Sequence, residues 1–205
     1  RARLMSDFAR GLFRLYDVGV VTDVDEFLIL DPKAGHDLRT YLGGMRHRAI
    51  GALGLDVGRH PDLDAPLDRA RPFLEQRTLA LVSARYTKPV VATGPVIWGS
   101  GMHRIKGRFT GIDPNLFLFH FGMVDGAAPA ASDPEKQAQG WAGHMARRAH
   151  LSDILRAAKP QDGDRLFAQA RRRMAWARHP LAWNKPLMLP GNPVIRIPDR
   201  FRGLV

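Results

Sequence analysis

Asp23 and Asp25 stand one residue apart, with Glu26 directly after them, and they carry the strongest chemical signal in these 205 residues. In an extended segment the two aspartates share a face while Val24 points the other way. Carboxylates are hard oxygen donors, and magnesium is typically held by one or two of them together with substrate phosphates. The pair therefore suits a cation that neutralises charge on a departing diphosphate. A solvated turn after a strand would use the same residues, so the pattern alone leaves both readings open. His103 and His120 are of a type that suits manganese better than magnesium, yet a histidine at a strand end also serves as a hydrogen-bonded structural residue.

The elements that must hold these residues can be read from periodicity. Leu4, Phe8, Leu12 and Leu15 recur on one helical face across residues 3–16. A short β-branched run follows at 18–22, which puts the acidic cluster at a strand's carboxyl end, the ligand-binding edge of an open α/β sheet. A short helix around Leu38, Tyr41 and Leu42 is stopped by Gly43-Gly44. Strands are expected at 49–57, 79–82, 90–93, 96–98 and 115–120, with a polar loop rich in Asp and Pro at 58–72. Ser132-Asp133-Pro134-Glu135 has capping-box spacing and opens a helix. Another helix over 164–177 buries Leu166, Phe167, Ala170 and Met174 until Pro180 ends it, and the proline-spaced tail reads as an extended wrap.

The length fits one domain. No apolar stretch approaches the ~20 residues of a membrane-spanning helix, and charged residues near the N-terminus exclude a signal-peptide core there. Without cysteine the chain has no disulfide framework and no thiolate zinc site, which suits a cytoplasmic protein. Lys and Arg exceed Asp and Glu by 11, and the excess lies late, in Arg147, Arg148, Arg156, Arg165, Arg171 to Arg173, Arg178, Arg196, Arg200 and Arg202. That balance points to a polyanion partner such as a pyrophosphate, an anionic glycan or lipid, or a membrane surface, and equally to a solvated arginine-rich face.

The run Tyr16-Asp17-Val18-Gly19-Val20-Val21-Thr22-Asp23-Val24-Asp25-Glu26-Phe27-Leu28 resembles the metal-binding segment of the glycosyltransferase family 2-like group with the GT-A fold. Lys88-Pro89-Val90-Val91, Gly101-Met102-His103 and Leu116-Phe117-Leu118-Phe119-His120-Phe121 are similar to that group's later landmarks, in order. The resemblance spans roughly residues 4–148. It implies a GT-A-like open mixed sheet flanked by helices, a nucleotide diphosphate sugar donor, a saccharide or lipid-linked acceptor, and a Mn2+ or Mg2+ ion. It also implies that Asp25 ligates the ion, that Asp23 lies near it or the donor ribose, and that His103 or His120 completes the site. Residues 1–131 would be the metal- and acceptor-side part of the domain, and 132–205 a helical, arginine-rich extension packed on it.

The chain departs from the group in having no opening βαβ unit and no glycine-rich phosphate loop, so the N-terminal nucleotide-binding strands are expected to be missing. The group's usual catalytic Glu-Asp pair is also absent. An inverting transfer needs a carboxylate within reach of the acceptor hydroxyl, which leaves Asp56, Asp62, Asp64, Asp68, Glu75 and Asp125 as candidates, with Asp56 and Asp125 put forward. Trp98 and Trp141 are candidates for stacking on a sugar. The expected activity is a metal-dependent sugar transfer in surface polysaccharide synthesis, with peripheral contact to an anionic membrane and no specific nucleic acid partner. The alternative is a non-catalytic basic module that binds nucleic acid or anionic membrane through its C-terminal arginines. A phosphohydrolase using Asp23 and Asp25 fits less well, since Glu26-Phe27 follows the pair where that fold wants a small residue.

Overall fold

The computed structural model describes residues 2–107, 111–124, 142–174 and 191–205. Its centre is the strand β6, Ile112–Met123, whose run Leu116-Phe117-Leu118-Phe119 is buried on both faces, the pattern expected of an interior strand. On one side β6 pairs antiparallel with β2, Glu26–Leu30, and on the other parallel with β3, Ala49–Gly58. The far edge of β3 pairs antiparallel first with β5, Lys88–Ala92, and then with β4, Leu79–Val82. Two short strands finish the open mixed sheet: β1, Gly19–Val20, beside β5, and β7, Val194–Arg196, beside β4.

Helices cover the sheet. On one face Phe117, Phe119, Leu53, Leu55 and Val57 pack against Leu166, Phe167 and Ala170 of α5, Gly163–Met174, and against Phe201. On the other, Leu116, Leu118, Ile50, Ala52 and Val90 meet Leu42 of α2, Leu38–Gly43. Leu151 and Leu155 of α4, Ala142–Ala157, close one end over Leu79, Met123 and Val194. Among the described residues the other α-helices are α1, Ala2–Leu12, and the single turn α3, Phe73–Gln76.

β4 and β5 are two halves of one antiparallel strand. Leu55 pairs with Val82 and Ala52 with Lys88, so two residues of β3 face an excursion of five, 83–87. Such an insertion re-aims side chains beside a functional site. Gly54 lies beneath it, giving its N–H to Thr87 Oγ1 at 2.9 Å and accepting from the Ser83 N–H at 2.9 Å. A Cβ on Gly54 would stand 2.3 Å from the Tyr86 carbonyl carbon and 2.4 Å from the Thr87 nitrogen, so no larger residue fits without moving the backbone.

Several expectations are corrected. The acidic pair does not lie extended at the end of a strand over 18–22. It lies in a turn closed by the Glu26 N–H on the Asp23 carbonyl at 3.1 Å, between the two-residue β1 and an unforeseen β2. Residues 96–98 supply only a single bridge, Trp98 to Ile105. Trp98 is buried beneath α1, where its backbone N–H donates to Ser6 Oγ at 3.0 Å, so it offers no platform to a sugar. Ser132 to Glu135, Trp141 and Asp125 lie outside the described residues.

Two of the C-terminal arginines, Arg171 and Arg200, are drawn into the fold. Arg171 sits over the Phe117 ring at 4.4 Å and donates to the Asp113 carbonyl at 3.0 Å, and burial pushes its guanidinium down to about 10. Arg200 forks onto the buried Asp31 at 2.8 and 2.9 Å and also reaches Asp164. Arg156 pairs with Asp62. These contacts stitch the tail to the sheet, while Arg156, Lys159, Arg165, Arg172, Arg196 and Arg202 stay exposed among the described residues. No helix among the described residues is long and apolar enough to cross a membrane.

Candidate functional site

The pleat of the sheet aligns Glu26, His120, Asp56 and Lys88 on one face. His120 is in register with Glu26 on one side and Asp56 on the other, and Lys88 with Ala52 two residues before Gly54. Glu26, Asp56 and His120 lie towards the carboxyl ends of the parallel pair β3 and β6, and the Lys88 side chain reaches Glu26 from a position opposite the first half of β3. The carboxylates thus lie at a carboxyl edge of the sheet, defined by these strands and not by β1.

Lys88 and Glu26 form an ion pair of 2.8 Å with both side chains 1% exposed. Glu26 Oε2 also accepts the Asp23 N–H at 2.9 Å, and Lys88 reaches Asp23 Oδ2 at 3.2 Å. The acidic turn is therefore tied down from below by a lysine 65 residues away. Glu26 Oε1 is buried and has no hydrogen-bond partner among the described residues.

His120 is held between two carboxylates: Nδ1 meets Asp56 Oδ1 at 2.7 Å, and Nε2 meets Asp25 Oδ2 at 3.3 Å. Tyr86, carried by the 83–87 excursion, stacks on the ring with centroids 3.8 Å apart. Burial is the largest single influence on His120 and opposes its charge, but the hydrogen bonds and charges of Asp25 and Asp56 together outweigh it and raise the imidazole to about 9. His120 is thus a cation at neutral pH. His103 differs: burial first, then the charge of Lys88, lowers it, and its Nδ1 lies 2.8 Å from the Arg85 carbonyl.

A histidine whose folded pKa lies above its unfolded value contributes stability that is fully present below the unfolded pKa and is lost as pH rises through the folded one. With 6.5 unfolded and about 9 folded, the loss falls between these values and corresponds to roughly 3 kcal/mol. Without added metal, urea midpoints are expected to drop across that window. The Asp56→Asn variant should show a flatter profile, with an NMR titration of the His120 ring displaced to lower pH. A profile in Asp56→Asn identical to the parent's would remove Asp56 from the account.

The structure thus brings together Asp23, Asp25, His120 and Asp56 of the residues singled out from sequence. Asp25, 40% exposed at its side chain, and Asp23, at 31%, form the solvent side, whereas Asp56 is 14% exposed beneath His120. The remaining loop acids have other partners: Asp64 accepts the His60 N–H, Asp68 the Ala70 N–H, and Glu75 pairs with Arg71. His103 lies near the cluster with its ring centroid 6.3 Å from that of Tyr86. Glu26 was expected to support the acidic loop, and it accepts the Asp23 N–H; Lys88 and Tyr86 gain roles that sequence reasoning did not assign. The signal for Lys88 was a single lysine opening the apolar run Pro89-Val90-Val91-Ala92.

Among the described residues no three His, Asp or Glu side chains form a ready-made cation site. Both His120 ring nitrogens are engaged by carboxylates in this arrangement. The donor chemistry still fits a hard divalent ion bound through one or two carboxylates and completed by phosphate oxygens, with Asp25 and Asp23 as those carboxylates. Comparison with protein-family models, curated proteins and solved structures returned no match to the chain.

Proposed function

We propose that the chain carries the metal- and acceptor-side part of a GT-A-type glycosyltransferase, moving a sugar from a nucleotide diphosphate sugar to a saccharide or lipid-linked acceptor in surface polysaccharide synthesis. The observation that supports this reading is the convergence of the Asp23-Val24-Asp25 turn with Lys88 and His120 at the carboxyl ends of β3 and β6. Asp25 and Asp23 would hold Mn2+ or Mg2+ on the donor, where it would neutralise the diphosphate as the sugar–phosphate bond breaks. Lys88 and His120 fix the two aspartates from the protein side, so the carboxylates meet the ligand in one preset arrangement. Asp56 is half-buried and already bonded to His120, which favours a positioning role for it over that of a base in this reading.

Calorimetry with a panel of nucleoside diphosphates tests this. Binding is expected only with manganese or magnesium present, and Asp25→Ala is expected to weaken it by at least roughly tenfold. Binding of equal strength with and without metal, or in both proteins, would sink the reading.

A further inference from the structure

α1 buries only one of its two apolar sides. Ser6 and Ala9 are buried and Met5 and Phe13 pack on the core, whereas Leu4, Phe8 and Leu12 recur every four residues along a second stripe. Leu4 is 71% exposed and Phe8 60%, and the stripe continues into Leu15 at 78% and Tyr16 at 61%. Phe8, Leu12 and Tyr16 also rim an apolar hollow of about 150 Å³ with Val20 of the edge strand β1. An apolar patch of this kind on a folded domain marks an interaction surface.

The charges around it identify what it meets. Arg3, Arg10 and Arg14 are exposed on or just beyond the helix. Arg10 shares a depression of about 530 Å³ with Arg48, which donates to the Pro95 carbonyl, and with the exposed Lys106. Arg46 lines the neighbouring depression with Tyr16. Against these six cations stand Asp7, paired with Arg10 at 3.4 Å, and Asp17. A helix with an exposed apolar stripe and flanking arginines lies flat in a bilayer interface, its apolar side at the acyl boundary and its cations at anionic headgroups.

We infer that α1, with the basic depression beside it, docks this protein onto an anionic phospholipid surface. The inference stands apart from the transferase reading, because vesicle binding is measured without nucleotide. It also differs from a basic tail acting as the anchor, because it places the contact on α1 and the depression beside it.

Co-sedimentation with phosphatidylcholine vesicles, with and without phosphatidylglycerol, tests it. The chain is expected to bind only the anionic vesicles and to release in high salt. Arg10→Ser should weaken binding about fivefold, and Leu4→Ser with Phe8→Ser at least about tenfold. Both apolar side chains are exposed, so the double variant should keep the parent's melting curve, which circular dichroism checks. Failure to bind, equal binding to neutral vesicles, or binding indifferent to Leu4 and Phe8 would overturn the inference. So would self-association in light scattering that Phe8→Ser abolishes, because a second copy would then cover the stripe.

Discussion

Lys88→Met is expected to lower stability by about 3–5 kcal/mol, because it strands the Glu26 carboxylate in the sheet interior without its cation. For a chain of this size that corresponds to a fall of roughly 10 °C in the melting temperature. The pair itself contributes much less than this, since removing two charges from water offsets most of their attraction. Lys88→Met combined with Glu26→Gln is therefore expected to recover most of the loss, the amide oxygen still accepting the Asp23 N–H now bound by Glu26 Oε2. A thermal melt of the three proteins decides the matter. A single variant as stable as the parent would mean that Glu26 does not depend on Lys88, and a double variant as weak as the single would place the loss in packing.

Gly54→Ala is expected to be nearly as damaging, although it adds one methyl group. The new carbon would fall inside contact distance of the Tyr86 and Thr87 backbone, and neither can yield as the tip of a flexible side chain would. The cost should reach about 3 kcal/mol, the upper end for overpacking. Unlike a change elsewhere in the core, it should also disturb the site, by lifting Tyr86 off the His120 ring and breaking the Thr87 Oγ1 bond to the Gly54 N–H. The His120 ring resonances should therefore shift in Gly54→Ala more than in a core variant of equal stability loss such as Leu166→Ala. Equal shifts would show that the excursion over Gly54 does not set the position of Tyr86.

The sequence made the interior strands legible where burial on both faces leaves a continuous apolar run. The expected 49–57, 79–82 and 115–120 match β3, β4 and the centre of β6 closely. α2 was legible because Gly43-Gly44 ends it. β2 was not, since its first residue is a buried glutamate, and nothing local shows that a lysine 62 positions later will neutralise it. The excursion at 83–87 was hidden for a related reason. A polar five-residue stretch between two strands has the signature of a hairpin loop, whereas here both strands lie end to end along β3.

The site was legible in part. Asp23, Asp25 and His120 could be singled out by type and spacing, and they do converge. Asp56 was one of two acids put forward from a larger set, and its register opposite His120 is what places it at the cluster. Tyr86 carried no signal, because its place depends on the backbone packed against Gly54. The tail's arginines suggested a polyanion surface from their number alone, and number does not reveal that Arg171 and Arg200 are consumed by Phe117 and Asp31.

The parallel pairing of β3 with β6 also governs how this molecule comes into being. Asp25, Asp56, Lys88 and His120 come from four separate segments, and His120 joins the others only when β6 inserts between β2 and β3. That step closes loops of more than 60 residues before any contact rewards it, which makes it intrinsically slow. Until it happens, β2 has no strand partner and Glu26 and Asp56 lack the histidine that sits between them in register. Acquisition of the site during refolding is thus expected to coincide with the final cooperative transition, and no early collapsed form should display it.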